Sequence, residues 1–188
     1  MANKVTVDKL RKLLDITFDL SVNLDIDSIL QKINSYGSAL VSSEESSILL
    51  FNEERTYLYF KTASGEKASI LQKVPVRSGI AWWSAQKGEP VIVNDPSSDE
   101  RFTGSVDRIS GFETKSILCV PVLLEDEIIG VLEAINKVGD TGFNEIDLEL
   151  FSILSEQVAI VIKNAQNTEQ LQNFKINAIE VFVKAIES

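Results

Sequence analysis

Apolar residues recur along this chain with two different periods, and the places where the period changes mark the elements. Residues 6–21 put Val7, Leu10, Leu14 and Phe18 at helical spacing, with Leu13 and Ile16 widening the stripe and Lys9, Arg11 and Lys12 on the other side, which predicts an amphipathic helix. A second helix is predicted over 26–42, behind a cap at Asn23 or Asp25, because Ile26, Ile29, Leu30, Ile33, Tyr36, Leu40 and Val41 repeat every three or four positions. The runs 45–52 and 55–63 are rich in β-branched and aromatic residues and are joined by Asn52-Glu53-Glu54, the pattern of a hairpin. A third strand is predicted near 70–76, then a short helix over 79–87 opened by Ser78-Gly79 and ended by Gly88, then a strand over 90–94.

Two strands, 115–124 and 127–137, are separated by the acidic turn Glu125-Asp126 and are apolar at odd and even positions alike, so the sheet they form is covered on both faces. Within that register Glu133 shares a face with Ile129, Val131 and Ile135, and a buried carboxylate must find hydrogen-bond donors. Before these strands, Asp95 to Gly111 is polar and irregular. From Phe143 onward the pattern is helical to the last residue, capped by Asn144 or Thr141, with Ile146, Leu150, Ile153, Leu154 and Val158 as its first apolar face. Past Asn164 the chain turns polar, then apolar again at Ile176, Ile179, Val183 and Ile186, the 3-4-3 spacing of a coiled-coil seam.

Length and composition narrow the function. A chain of 188 residues with 44% hydrophobic and 24% charged content suits one domain with helical extensions. The formal charge of −10 repels phosphate backbones and anionic lipid, so nucleic acid and membrane surfaces are not expected partners. No apolar stretch approaches the ~20 residues of a membrane span, and a cytoplasmic location is expected. One cysteine, Cys119, and no histidine leave no intrachain disulfide, no Cys/His zinc cluster and no Ser-His or Cys-His catalytic pair, so neither a metal site nor catalysis is expected.

The segments SVDRISGFETKSILCVPV (105–122) and GVLEAINK (130–137), followed by Phe143 and Asp147, resemble the GAF domain, and more narrowly the cyclic-nucleotide-binding GAF domains of phosphodiesterases and adenylyl cyclases. The resemblance runs from about Val22 to about Asn164. It implies an α+β fold: an antiparallel sheet of about six strands, the N- and C-terminal helices on one face, and a cap of short helices and loops over a ligand pocket on the other. It also implies three parts, a linker or dimerisation helix at 1–21, a sensory domain at 22–164 and a signalling helix at 165–188. The closing NAIEVFVKAIES resembles the first helix of HD-GYP phosphodiesterase domains, a hint of an output domain beyond the chain.

By the same resemblance Ser47, Asp107, Ser110, Thr114 and Glu133 stand at ligand-contact positions, and the N–H groups of Ile80 and Ala81 at a helix N-terminus receive a cyclic phosphate. A carboxylate with several hydroxyls suits the N–H and O–H groups of a nucleoside, here cAMP or cGMP. For Glu133 the alternative is a structural ion pair with Lys115 or Lys137; for Asp107, Ser110 and Thr114 it is ordinary loop capping. Asn136, Lys137, Phe143 and Asp147 match the family's Asn-Lys…Phe…Asp signature, in which Lys137 and Asp147 form a structural ion pair; Leu148 stands where the family's last acid would be. Two positions depart from the family: Trp82, followed by Trp83, replaces a small residue, and Lys61 and Thr62 replace an aromatic residue and an acid. The expected role is a non-catalytic sensory module that binds a small ligand, dimerises through its terminal helices and signals to an output domain. The other expectation is a ligand-free GAF domain that only dimerises and transmits. The single cysteine and missing histidine point away from the family's methionine-sulfoxide reductases and bilin photoreceptors.

Overall fold

The computed structural model describes residues 25–65, 68–139 and 141–186, with side chains described as far as residue 177. The helix expected at 6–21 lies outside the described residues, as do the side chains of Ile179, Val183 and Ile186.

Helix α1 (Ile26–Val41) starts where the Asp25 carboxylate accepts from the Ser28 N–H, which settles the choice of cap, and ends at Ser42 in the left-handed conformation. Five antiparallel strands follow: β1 (Ser43–Phe51), β2 (Leu58–Ala63), β3 (Val91–Val93), β4 (Ile117–Leu124) and β5 (Glu127–Lys137), in spatial order β2-β1-β5-β4-β3. The short helices α2 (Ala68–Leu71), α3 (Ile80–Lys87) and α4 (Ser105–Ser110) sit in the connections, and α5 (Glu145–Ile186) closes the chain.

Among the described residues the sheet has five strands rather than six. The segment expected as a strand near 70–76 instead closes α2 and meets the sheet at one bridge, Leu58 with Val76. Pro75 has no N–H to extend a ladder there. The second strand of the first hairpin also begins later than its composition suggests. The Asn52 side-chain oxygen accepts from the N–H groups of Thr56 and Tyr57, and Arg55 takes a positive φ, so the turn runs to Tyr57.

Strand alternation sorts the two faces. Ile48, Leu118, Val120, Val122, Leu132 and Ala134 meet α1 and α5, joining Leu30, Ile33, Phe151, Leu154 and Val158 in the larger core. Leu49, Phe60, Ile117, Cys119 and Val131 point the other way, under Ile80, Ala81 and Ala85 of α3. Strands β4 and β5 are therefore apolar on both faces because both are covered, as their composition predicts.

Lys137, Phe143 and Asp147 fasten α5 to this sheet. Lys137 Nζ lies 2.8 Å from each Asp147 oxygen and donates to the Val41 carbonyl at 2.7 Å, with the two side chains 11% and 3% exposed. Phe143 is buried beneath that ammonium, 5.8 Å from ring centre to nitrogen, and its backbone N–H and C=O are both held by the Asn94 amide. Asn144, not Thr141, caps α5, accepting from the N–H groups of Ile146 and Asp147. Asn136 occupies a left-handed position that asparagine tolerates, and its amide accepts from Lys115 N–H and donates to the Glu113 carbonyl, tying β5 to the entry of β4. Leu148, in place of the acid, packs against the larger core.

Candidate functional site

Between the sheet's second face and the segments carrying α2, α3 and α4 lies a cavity. All seven residues singled out as ligand contacts line it: Ser47, Ile80, Ala81, Asp107, Ser110, Thr114 and Glu133. They come from four separated parts of the chain, and the strand register explains the floor. Ser47 of β1 and Cys119 of β4 are the direct partners of Glu133 on β5, so the carboxylate stands in the middle of the sheet.

Glu133 is only partly buried, yet among the described residues it has no basic partner. Lys137 is committed to Asp147, and Lys115 reaches Glu113 at 3.9 Å, so the structural pairing open from sequence is not the one that forms. Desolvation first, then the Asp107 carboxylate, pushes the Glu133 carboxyl up to about 7, while the Ser47 hydroxyl opposes part of that rise. Cys119 is fully buried, and burial pushes its thiol well above the ordinary range, so it is a packing residue without nucleophilic character.

The cap residues are placed at the cavity but spend much of their hydrogen bonding on the loop. Asp107 accepts from Thr114 N–H at 2.8 Å and Thr114 Oγ1 at 2.7 Å. Ser110 Oγ donates to the Val106 carbonyl and accepts from Phe112 N–H. These bonds hold α4 and the chain to β4 as one unit, and each carboxylate oxygen of Asp107 still has an accepting lone pair.

Ser78, Gly79, Ile80 and Ala81 line the cavity where α3 begins. Gly79 sits at φ 94, a region closed to most side chains, and no side chain caps the helix. The N–H groups of the first turn have no intrahelical acceptors, which leaves them for a ligand or water. Among the described residues no Lys or Arg lines the cavity, whereas Glu45, Asp107 and Glu133 do.

Neither tryptophan fills the space. Trp82 meets Phe51 edge-on with ring centres 5.7 Å apart, and the Trp83 ring carries the Arg101 guanidinium at 4.3 Å. Lys61 pairs with Asp27 of α1 at 2.6 Å, and Thr62 is buried at the register position of Ile48 with an unpartnered hydroxyl. Both residues thus serve the α1 side of the sheet. Glu45, Phe60, Phe102 and Phe112 line the cavity without having been singled out from sequence. Glu45 could have been found, because it precedes Ser47 by two residues and shares its strand face; the aromatic rings come from separate loops and strands with no local pattern to join them.

The GAF domain family matches residues 23–163, so the chain belongs to the GAF domain family. Among curated proteins it is 25% identical over 182 residues to a probable 3',5'-cyclic phosphodiesterase of Caenorhabditis elegans, covering 88% of this chain and 25% of that one. It is 40% identical over 96 residues to the dual 3',5'-cyclic-AMP and -GMP phosphodiesterase 11 of Drosophila melanogaster, covering 50% of this chain and 7% of that one. The chain thus spans a quarter or less of the length of these two relatives. In solved structures it resembles the GAF domain of an Acinetobacter phosphoenolpyruvate-protein phosphotransferase, with TM-score 0.73, 21% identity, and coverage of 86% of this chain and 97% of that one. Among the described residues no helix is long and apolar enough to cross a membrane.

Proposed function

We propose that this GAF domain is a non-catalytic sensor that binds a cyclic nucleotide, cAMP or cGMP, in the cavity beneath α2–α4 and passes the change to an output domain through α5. The observation that carries the reading is the convergence of Ser47, Asp107, Ser110, Thr114 and Glu133 with the uncapped start of α3 around one space. A nucleoside offers N–H and O–H donors to the carboxylates and hydroxyls, and a cyclic phosphate accepts from the N–H groups of Ile80 and Ala81. The Drosophila relative, a dual 3',5'-cyclic-AMP and -GMP phosphodiesterase, supports the ligand class. Helix α5, 42 residues long and continuous from the Lys137–Asp147 clasp, is the element suited to carry a signal outward in a homodimer.

The ligand-free alternative would be marked by a tryptophan filling the cavity and a lysine neutralising Glu133, and neither arrangement is present among the described residues. Thermal melts with cAMP, cGMP, AMP and GMP test the reading. A cyclic nucleotide at 100 times its dissociation constant adds about 2.7 kcal/mol to the folded state. No rise in melting temperature with either cyclic nucleotide at millimolar concentration would favour the ligand-free alternative.

A further inference from the structure

Within the cavity one acid differs from the other two. Asp107 has both oxygens engaged by Thr114, and Glu45 accepts from the Ser64 hydroxyl, but among the described residues Glu133 has only the Ser47 hydroxyl of β1 as a hydrogen-bond partner. Among the described residues the titratable groups that bear on it are Asp107 from α4 and the Cys119 thiol from β4; α3 contributes Ile80 and Ala81. Around it the floor is apolar, with Leu49, Ile117 and Ile135 as neighbours. Such a floor suits a flat purine ring better than a hydroxylated sugar. The phosphate of a cyclic nucleotide is repelled by a carboxylate and is drawn to the start of α3, which leaves the base to meet Glu133.

A carboxylate and a carboxyl present different edges. Two carboxylate oxygens accept two N–H bonds side by side, the pattern of guanine's N1–H and N2–H. A protonated carboxyl accepts one bond and donates one, the pattern of adenine's N6–H and N1. We infer that Glu133 selects the base by its own protonation, taking guanine as a carboxylate and adenine as a carboxyl. This rests on the cyclic-nucleotide reading of the same cavity. Its half-protonation near pH 7 places the change of preference within the cellular range.

The test is calorimetric titration of the intact chain with cAMP and with cGMP between about pH 6 and about pH 8, where neither base nor the cyclic phosphate titrates. Linkage to one proton predicts that cGMP tightens roughly tenfold and cAMP weakens roughly tenfold across that window, so the affinity ratio moves about a hundredfold. Glu133→Gln, whose amide always offers one donor and one acceptor, should hold the ratio fixed in favour of cAMP at every pH. Both affinities moving together with pH would overturn the inference and place a ribose hydroxyl or the phosphate at Glu133. A ratio that does not change with pH, or an inversion that persists in Glu133→Gln, would also overturn it while leaving cyclic-nucleotide binding intact. Absence of binding by either nucleotide at every pH removes the sensor reading and this inference together.

Discussion

Replacing Glu133 by Gln should stabilise the protein without ligand, by an amount that grows with pH. In the folded chain the carboxyl is held up at about 7 against an ordinary 4.5, so the folded state binds the proton more tightly than the unfolded state. The stabilisation from that proton is complete below about pH 4.5 and is lost as pH rises through about 7. One pH unit corresponds to about 1.4 kcal/mol, which makes the full difference at most about 3.5 kcal/mol. Because Glu133 keeps some contact with solvent, about 1–2 kcal/mol is the expected size. Urea denaturation of wild type and Glu133→Gln at about pH 5 and about pH 8, compared at equal m-value, measures it. The variant should match wild type at the lower pH and exceed it at the higher. Parallel pH curves, or a variant clearly weaker at pH 8, would refute the claim that this carboxylate lacks a basic partner.

Lys137→Met leaves the Asp147 carboxylate buried without its ammonium, so a loss of about 3–5 kcal/mol is expected from denaturant midpoints, largely restored in Lys137→Met/Asp147→Leu. Gly130→Ala should abolish folding or cost more than about 3 kcal/mol, since an added Cβ falls on the Leu49 carbonyl of β1, a backbone atom with nowhere to move; circular dichroism melts read this directly. Asn94→Ala removes both bonds to the Phe143 backbone and should lower stability by about 1–3 kcal/mol, and a melting temperature equal to wild type would contradict the clasp. Truncation after Asn164 removes the outer part of α5 and should weaken the dimer expected from its seam, read by light scattering at micromolar concentration; an unchanged molar mass would locate the association elsewhere.

What the sequence determined by itself was everything that a local period can encode. The 3–4 spacing of α1, the two-faced apolarity of β4 and β5 and the out-of-place Glu133 are properties of neighbouring residues, and periodicity reads neighbours; the choice of Asp25 over Asn23 and of Asn144 over Thr141 came from the structure. The error in strand number arose where one proline decides the matter: Lys73 to Val76 has strand-like composition, but Pro75 denies the ladder its donor and one bridge to Leu58 is all that forms. The partners of Glu133 and the fate of the tryptophans were beyond local pattern. Whether Lys137 would neutralise Glu133 or Asp147 depended on alternation along β5, which sends residues 133 and 137 to one face of an ideal strand; the left-handed Asn136 turns Lys137 toward α5 instead. Trp82 and Trp83 leave the cavity because the rotation of α3 gives Ile80 and Ala81 to it and hands the rings to Phe51 and Arg101, contacts more than fifteen residues away in the chain. The cavity itself is a tertiary product: its acid, hydroxyls and free N–H groups become one site only when β1, α3, α4 and β5 close around the same space.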